Sequence, residues 1–264
     1  MFLFSEAAVL SDIHCHLVPY VDDGAADMED ALELIKDEYS QGVRHIVMTP
    51  HLRNNMFDTK VSEVKASFEE VKKLIQETDM KDMSVYLSRE YHCDSRLKAL
   101  LEGYYAGKKE IIFEENSYIP VEELLPFGKK RCILLEFSTN KYQKDEMIEF
   151  TELALDCGYT PVIAHAERYR SVQEKPESVN SLRRLGAYIQ VNADALLGDD
   201  AKEIVDTARK LVFAGDADIV ASDAHDPEFR KPMLKKCYGY LKRKIGKEKT
   251  DMLMNDTAVK LLEG

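Results

Sequence analysis

The sequence predicts an α/β protein built on a parallel sheet. Short apolar runs alternate regularly with amphipathic helical segments, giving about seven βα units. The apolar runs are mostly continuous, as expected for strands buried on both faces. The chain has 264 residues, a natural size for one α/β barrel, and shows no linker, repeat or low-complexity segment. We therefore expect a single domain over residues 1–264.

The first units have clear boundaries. An apolar run at 7–10 leads into the first strand, and Asp27 is placed to cap the helix that follows. Gly42 is placed to end that helix. The β-rich segment 43–49 is the predicted second strand, and 83–87 is the third, after apolar residues at helical spacing.

The rest of the chain continues this alternation after a short helix at 97–101. Residues 103–130 are the least regular part and are predicted to be an excursion that contains a hairpin. The remaining strands are predicted at 132–135, 161–164, 187–191 and 218–221. Helices are predicted at 145–157, from 166 to 185 and at 201–214, and two more close the chain.

Composition narrows the class of protein. Hydrophobic residues make up 45% and charged residues 32%, both ordinary for a soluble globular protein. The net charge of −12 argues against a sequence-independent nucleic-acid surface, which needs an excess of Lys and Arg. The five cysteines are scattered without a CxxC pair, and neither a signal peptide nor a membrane-spanning run is apparent. We expect a cytoplasmic protein without membrane insertion and leave its oligomeric state open.

Six of the seven predicted strands end in residues that can bind a metal ion. Carboxyl ends of parallel strands in a βα barrel meet at one face, so these side chains are expected to converge there. Eight candidates exceed the needs of one ion and imply a cluster of two or three ions with a bridging carboxylate. Their mix of imidazole and carboxylate suits Mn, Fe or Zn. The candidates are His14, His16, His51, Glu90, Glu136, His165, Asp223 and His225.

The first pair shows how this interpretation depends on the whole chain. His14 and His16 lie two apart on a strand and so point the same way. Alone, they could equally be a chance pair. Cys15 lies between them, should point to the opposite side, and is interpreted as structural. His92 follows Glu90 by two positions, and its role stays open.

Arginines near the strand ends add a second indication. Arg168 lies three residues after His165, and Arg230 lies five after His225. Guanidinium groups bind phosphate through paired hydrogen bonds. We predict that Arg168 and Arg230 bind a phosphoryl group, with surface salt bridges as the alternative. The role of Arg53, two residues after His51, stays open.

Six short motifs follow one another in unbroken order from about residue 11 to the end of the chain. They are Asp12-Ile13-His14-Cys15-His16, Asp22-Asp23-Gly24, Thr49-Pro50-His51, Glu136-Phe137-Ser138, His165-Ala166-Glu167-Arg168-Tyr169 and Ala221-Ser222-Asp223-Ala224-His225. Together these motifs resemble the polymerase-and-histidinol-phosphatase (PHP) superfamily. Within it, the sequence is most similar to the bacterial manganese-dependent tyrosine-protein phosphatases of capsule and exopolysaccharide gene clusters.

The resemblance implies a distorted (β/α)7 TIM-like barrel, the PHP fold, with a three-metal site in which manganese is expected first. It also implies hydrolysis of phosphotyrosine on a partner bacterial tyrosine kinase that controls polysaccharide synthesis. Two departures stand out. About ten residues precede the first motif, and Arg89-Glu90-Tyr91-His92 replaces the usual Gly-Ala-Glu segment.

Three other functions are considered. Histidinol-phosphate phosphatase, or another phosphoesterase of the superfamily, would use the same metals and arginines. A non-catalytic phosphotyrosine-binding barrel would be expected to lose ligands, yet all eight positions are filled. A polymerase-associated exonuclease fits poorly with an acidic chain that has no polymerase segment.

Overall fold

The computed structural model describes residues 8–114, 117–140 and 142–264. It shows a mixed α/β fold with parallel sheets, as the alternation predicts. The strands are β1 (Leu10–Cys15), β2 (Val43–Met48), β3 (His51–Leu52), β4 (Ser84–Leu87), β5 (Glu90–His92), β6 (Glu110–Phe113), β7 (Ser117–Pro120), β8 (Cys132–Glu136), β9 (Thr160–Ile163), β10 (Tyr188–Asn192) and β11 (Ile219–Ala221).

The longer helices follow the predicted segments. The helices are α1 (Met28–Ser40), α2 (Val61–Gln76), α3 (Ser95–Tyr105), α4 (Lys144–Asp156), α5 (Arg170–Glu174), α6 (Val179–Leu185), α7 (Ala193–Leu197), α8 (Lys202–Ala214), α9 (Leu234–Ile245), α10 (Lys247–Asp251) and α11 (Thr257–Glu263). Among the described residues, no helix has the length and apolarity needed to cross a membrane.

Two parallel sheets and one antiparallel hairpin contain these strands. The larger sheet has the order β11-β10-β9-β8-β5-β3, and the smaller has the order β1-β2-β4. The hairpin, β6 with β7, confirms the one predicted within 103–130. The described residues contain no single closed sheet.

Two chain segments contribute a strand to each parallel sheet. β2 and β3 are separated by Thr49 and Pro50, and β4 and β5 are separated by Ser88 and Arg89. Pro50 has no N–H with which to continue the ladder. The predicted second strand therefore ends at Met48, and the short strands β3 and β5 are additions that the sequence did not indicate.

The first and last strands meet through their backbones. The Asp223 N–H donates to His14 O, and the His16 N–H donates to Ala224 O, both at 2.8 Å. The buried Asp12 carboxylate accepts from the Ser222 N–H and hydroxyl. These bonds hold the end of β1 beside the segment that follows β11.

Local chemistry explains the helix boundaries. The Asp27 carboxylate accepts from the N–H groups of Glu29 and Asp30, which confirms it as the cap of α1. The predicted helix from 166 to 185 is wrong as one element, because it is divided into short helical pieces around Pro176. Proline removes an N–H, and it pushes the residue before it, Lys175, out of helical geometry (φ −144°, ψ 80°). The predicted start of β1 at Ala7 lies outside the described residues.

Candidate metal centre

All eight predicted metal ligands lie together, at or just after the carboxyl ends of β1, β2, β4, β8, β9 and β11, and two of them, His51 and Glu90, also begin the short strands β3 and β5. Their donor atoms fall into four overlapping groups, in each of which one atom per residue lies within 4.8 Å of every other. The groups are His14 with Glu90 and His165; His14 with His16 and Asp223; His51 with Glu90 and Glu136; and His16 with Asp23, His51 and His225. Asp23 is an additional member, which the sequence indicated only as part of the Asp22-Asp23-Gly24 motif.

Gly24 explains how Asp23 reaches the cluster. The chain turns back after β1, so that the Ala25 N–H donates to His16 O at 2.9 Å. A Cβ atom at position 24 would lie 2.1 Å from His16 O, so only glycine fits. An Asp-Gly pair is typical of a turn, but the close approach of Gly24 to His16 depends on the tertiary structure.

Glu90 lies at the centre of the cluster and is fully buried. Its Oε2 atom lies 3.3 Å from Nε2 of both His14 and His16, and 3.1 Å from Nδ1 of His51. Its Oε1 atom lies 2.9 Å from Nε2 of His165. One carboxylate therefore faces four imidazoles from three strand ends, which is the arrangement of a bridging ligand.

Hydrogen bonds on the outer side of the cluster fix the tautomer of His14. The Gln190 Oε1 atom accepts from the His165 backbone N–H at 2.7 Å, so this atom is the amide oxygen. His14 Nδ1 lies 3.0 Å from the same oxygen and must be its donor. In the neutral ring, the Nε2 atom of His14 is then the bare nitrogen, and it faces Glu90 and Asp223.

The same logic applies to two further histidines. His16 Nδ1 pairs with Asp22 Oδ2 at 2.7 Å, and His225 Nδ1 pairs with the backbone oxygen of Asp223 at 2.9 Å. Both rings therefore turn Nε2 toward the cluster. Such outer partners orient metal-binding imidazoles and increase their basicity.

β10 is the one predicted strand without a ligand, and it supplies this outer support. Gln190 Nε2 donates to Asn192 Oδ1, and Asn192 Nδ2 donates to Asp223 Oδ2, at 2.7 and 2.8 Å. A buried chain of hydrogen bonds thus joins His14 to Asp223. Sequence reasoning missed Gln190 and Asn192 because side-chain amides inside a strand carry no ligand signal.

The donor set fits divalent metal ions. Three inward-facing atoms are buried without a hydrogen-bond partner among the described residues: His51 Nδ1, Glu90 Oε2 and His225 Nε2. Unpaired buried polar atoms are costly, and a bound cation would satisfy them. The ligands are nitrogen and oxygen only, because Cys15 turns away and its Sγ lies 3.4 Å from Val47 O. Nitrogen and carboxylate oxygen suit Mn, Fe or Zn.

The electrostatics of the cluster also favour a cation. Burial, and then the nearby His16, lower the pKa of His225 to about 2, so its imidazole is neutral. Burial alone would raise the pKa of Glu90, but His14 and His51 hold it well below its usual range. Despite burial, Glu90 raises the pKa of His14 to about 8, and Asp22 raises the pKa of His16 well above its usual range. The acidic groups of the cluster therefore attract positive charge, and a bound cation would take the place of the protons on these two rings.

Two ligands occupy strained backbone. His165 has φ +29° and Asp223 has φ +55°, both at positive φ, where residues other than glycine are rarely found. Such strain persists where the surroundings enforce it, typically at functional sites. Here the backbone N–H groups of both residues are held, by Gln190 and by His14 O.

Both predicted phosphate-binding arginines contact the cluster. Arg168 Nη1 and Arg230 Nη2 donate to Asp223 Oδ2 at 3.2 and 3.1 Å. Arg168 also lies 3.6 Å from Asp200 and 3.9 Å from Asp194. The guanidinium groups remain partly open to solvent, so they can meet an anion that enters the site.

The two residues left open by the sequence have different positions. His92 Nδ1 lies 3.0 Å from Glu136 Oε2, so it contacts a member of the cluster. Arg53 pairs through its backbone with Phe57 and closes a turn after β3. The Phe57 ring stacks on His51, with centroids 5.1 Å apart and planes at 9°.

Known proteins resemble this chain over nearly its whole length. The family described as capsular polysaccharide synthesis, CpsB/CapC, matches residues 10–263. Tyrosine-protein phosphatase CpsB of Streptococcus agalactiae serotype III is 30% identical over 257 residues, which are 96% of this chain and 98% of the relative. Tyrosine-protein phosphatase YwqE of Bacillus subtilis is 30% identical over 252 residues, which are 95% of this chain and 91% of the relative.

A solved structure agrees with these relatives. It comes from crystal structures of YwqE from Bacillus subtilis and CpsB from Streptococcus pneumoniae, described as metal-dependent tyrosine phosphatases. The superposition has a TM-score of 0.79 and 28% identity and covers 96% of this chain and 94% of the other. These matches confirm the resemblance seen in the sequence motifs, and the chain belongs to the CpsB/CapC family of capsular polysaccharide synthesis.

Proposed function

We propose that this chain is a metal-dependent protein-tyrosine phosphatase. The observation that carries the proposal is a cluster of eight metal-binding side chains with two arginines bound to one of its carboxylates. Three of the cluster's inward atoms have no hydrogen-bond partner within the described part of the chain. The family and the names of its members supply the substrate class, phosphotyrosine in a protein.

The proposed ligands are the eight predicted residues, joined by Asp23. Two or three divalent ions, with manganese expected first and iron or zinc as alternatives, suit this number of donors. Bound there, the ions would supply an activated water and positive charge for the phosphoryl oxygens. Asp22 orients His16, and Gln190 orients His14. Glu90 contacts His14 from the centre of the cluster.

Arg168 and Arg230 are the proposed phosphate-binding residues. Both hold Asp223 and face the opening of the site, so an incoming phosphoryl group can accept hydrogen bonds from either. Asp194 and Asp200 keep Arg168 on this side of the cluster. Cys15 takes no part as a nucleophile, because its thiol is buried and burial raises its pKa well above the usual range.

We extend the proposal to the architecture and the setting. The two parallel sheets would together form the distorted (β/α)7 barrel, supported by the backbone bonds between β1 and the end of β11. Residues 1–264 would be one domain. All five cysteines are buried and lie outside disulfides, which supports a cytoplasmic location. The proposed substrate is a tyrosine kinase of polysaccharide export.

Metal analysis combined with substrate comparison tests the function. The purified protein is analysed for bound metals and assayed on a phosphotyrosine peptide and on histidinol phosphate, before and after chelation. We expect turnover of the peptide, its loss on chelation and its return with Mn²⁺. His14→Ala should lose both metal and turnover. Activity that survives thorough chelation, or a preference for histidinol phosphate, would contradict the proposal.

A further inference from the structure

Two phenylalanines lie on loops that flank the same pair of candidate ligands. Phe57 closes the turn after β3, and Phe229 lies in the loop after His225. The imidazole rings of His51 and His225 lie 6.0 Å apart. The two loops therefore border one side of the metal centre.

Phe57 forms part of the wall of the site. Its ring is half-buried and stacks almost parallel on His51. The turn that carries it is fixed by two backbone bonds with Arg53, at 2.8 and 2.9 Å. One face of the ring is occupied by the imidazole, and the phenyl group gives the site an apolar border.

Phe229 is presented to solvent by an ordered loop. The Asp226 carboxylate accepts from the N–H groups of Glu228, Phe229 and Arg230. The His225 N–H closes the loop by donating to Arg230 O at 2.8 Å. Phe229 is nevertheless 88% exposed, the highest value among the large apolar side chains described. An exposed phenyl ring on a backbone that is fixed by hydrogen bonds is suited to packing against a bound partner.

We propose that Phe57 and Phe229 form an aromatic clamp that selects aryl phosphates over alkyl phosphates. This inference rests on the proposed phosphatase function and adds the residues that determine its substrate selectivity. Phe229 directly precedes Arg230, which contacts Asp223, so the proposal places the ester group of a phosphoryl group held by Arg230 beside the Phe229 ring. Aromatic rings gain from stacked and edge-to-face contacts that an aliphatic side chain cannot match. The clamp therefore distinguishes phosphotyrosine from phosphoserine and from aliphatic phosphate esters.

Paired peptides of one sequence, carrying phosphotyrosine or phosphoserine, test the clamp. The variants are Phe229→Ala and Phe57→Leu. Phe213→Ala is the matched control, since Phe213 is exposed on α8. We expect each clamp variant to lower the ratio of kcat/KM for phosphotyrosine to that for phosphoserine by roughly tenfold, the effect of one aromatic contact. The control should keep the wild-type ratio. Phe229→Tyr, which retains an aromatic ring at this position, should keep it as well.

Metal content per chain is measured for every variant, because Phe57 contacts His51. If Phe57→Leu has lost metal, the conclusion is drawn from Phe229→Ala alone. A wild-type ratio in Phe229→Ala, with full metal content, overturns the clamp and leaves the proposed function intact. A wild-type protein that hydrolyses neither peptide overturns the proposed function and the clamp together.

Discussion

Arg168 and Arg230 donate hydrogen bonds to the same oxygen of Asp223, at 3.2 and 3.1 Å. The second oxygen of Asp223 lies 3.4 Å from His14 Nε2. Asp223 therefore links the arginines to the metal cluster through its two oxygens. A phosphoryl group that reaches the arginines is held beside the cluster.

Removing either arginine should lower phosphatase activity. A charged hydrogen bond contributes about 1.5–3 kcal/mol, so Arg168→Ala or Arg230→Ala should lower kcat/KM roughly 10- to 100-fold. The two losses should not add fully, because both groups serve one carboxylate and one phosphoryl group. Steady-state kinetics on a phosphotyrosine peptide would measure this, with the exposed Arg184→Ala as control. Normal kcat/KM in the double variant would contradict the role.

Gln190→Leu should weaken metal binding without removing a ligand. Loss of the amide oxygen frees His14 Nδ1 from its acceptor, so Nε2 is no longer fixed as the bare nitrogen. Loss of such a partner typically costs about 10–100-fold in metal affinity. Competition titration with a metal indicator would measure the change, and Asn180→Ala, which loses hydrogen bonds to Asp216 and Arg183 but none to the cluster, is the control. Unchanged affinity would show that the amide does not orient His14.

Cys15→Ala should keep phosphatase turnover. The thiol is fully buried, contacts Val47 O and turns away from the ligands on either side. The cost should appear in stability instead, at about 1 kcal/mol. Kinetics and urea unfolding on the same preparation separate the two effects. If Cys15→Ser abolished turnover while metal stayed bound, the metal-centred scheme would be wrong.

Glu38 should make stability fall as pH rises. It lies on the buried face of α1, and neither carboxylate oxygen has a hydrogen-bond partner among the described residues. Burial, and then the nearby Asp12 carboxylate, raise its pKa well above the ordinary 4.5. The folded state thus keeps a proton that the unfolded chain releases above about pH 4.5. The contribution of Glu38 to the free energy of unfolding is therefore fully present below about pH 4.5 and is lost as the pH rises through the pKa of the folded state.

Glu38→Gln should remove the fall in stability that Glu38 causes as the pH rises. Urea unfolding of the metal-free protein between pH 4 and 8 would compare the variant with wild type. The variant should be the more stable at neutral pH, and the gap should close near pH 4. Glu33→Gln, at an exposed position of the same helix, should follow wild type. A pH-independent gap for Glu38→Gln would exclude the linkage.

The sequence predicted much of the metal centre because parallel strands share one edge. Each of the eight residues could be placed from its position after an apolar run, and the structure brings all eight together. The arginines followed from their distance to His165 and His225. These predictions use local pattern and one topological rule, both of which are present in the sequence.

The missed features depend on tertiary contacts. Asp23 joins the cluster because Gly24 allows the chain to pack against His16. Gln190 matters only because β10 lies between β9 and β11. The division of the predicted helix at Pro176 was visible in the sequence, whereas the split of strands between two sheets was not.

The bonds between Asp12 and Ser222 join residues 210 positions apart. A ribosome adding about 5–20 residues per second needs roughly 10–40 s to extend the chain from one to the other. Throughout that interval the His14 and His16 pair exists without Asp223 or His225. The complete set of candidate ligands can therefore assemble only after the segment with Asp223 and His225 has been made, so full metal loading would follow synthesis of both ends of this cluster.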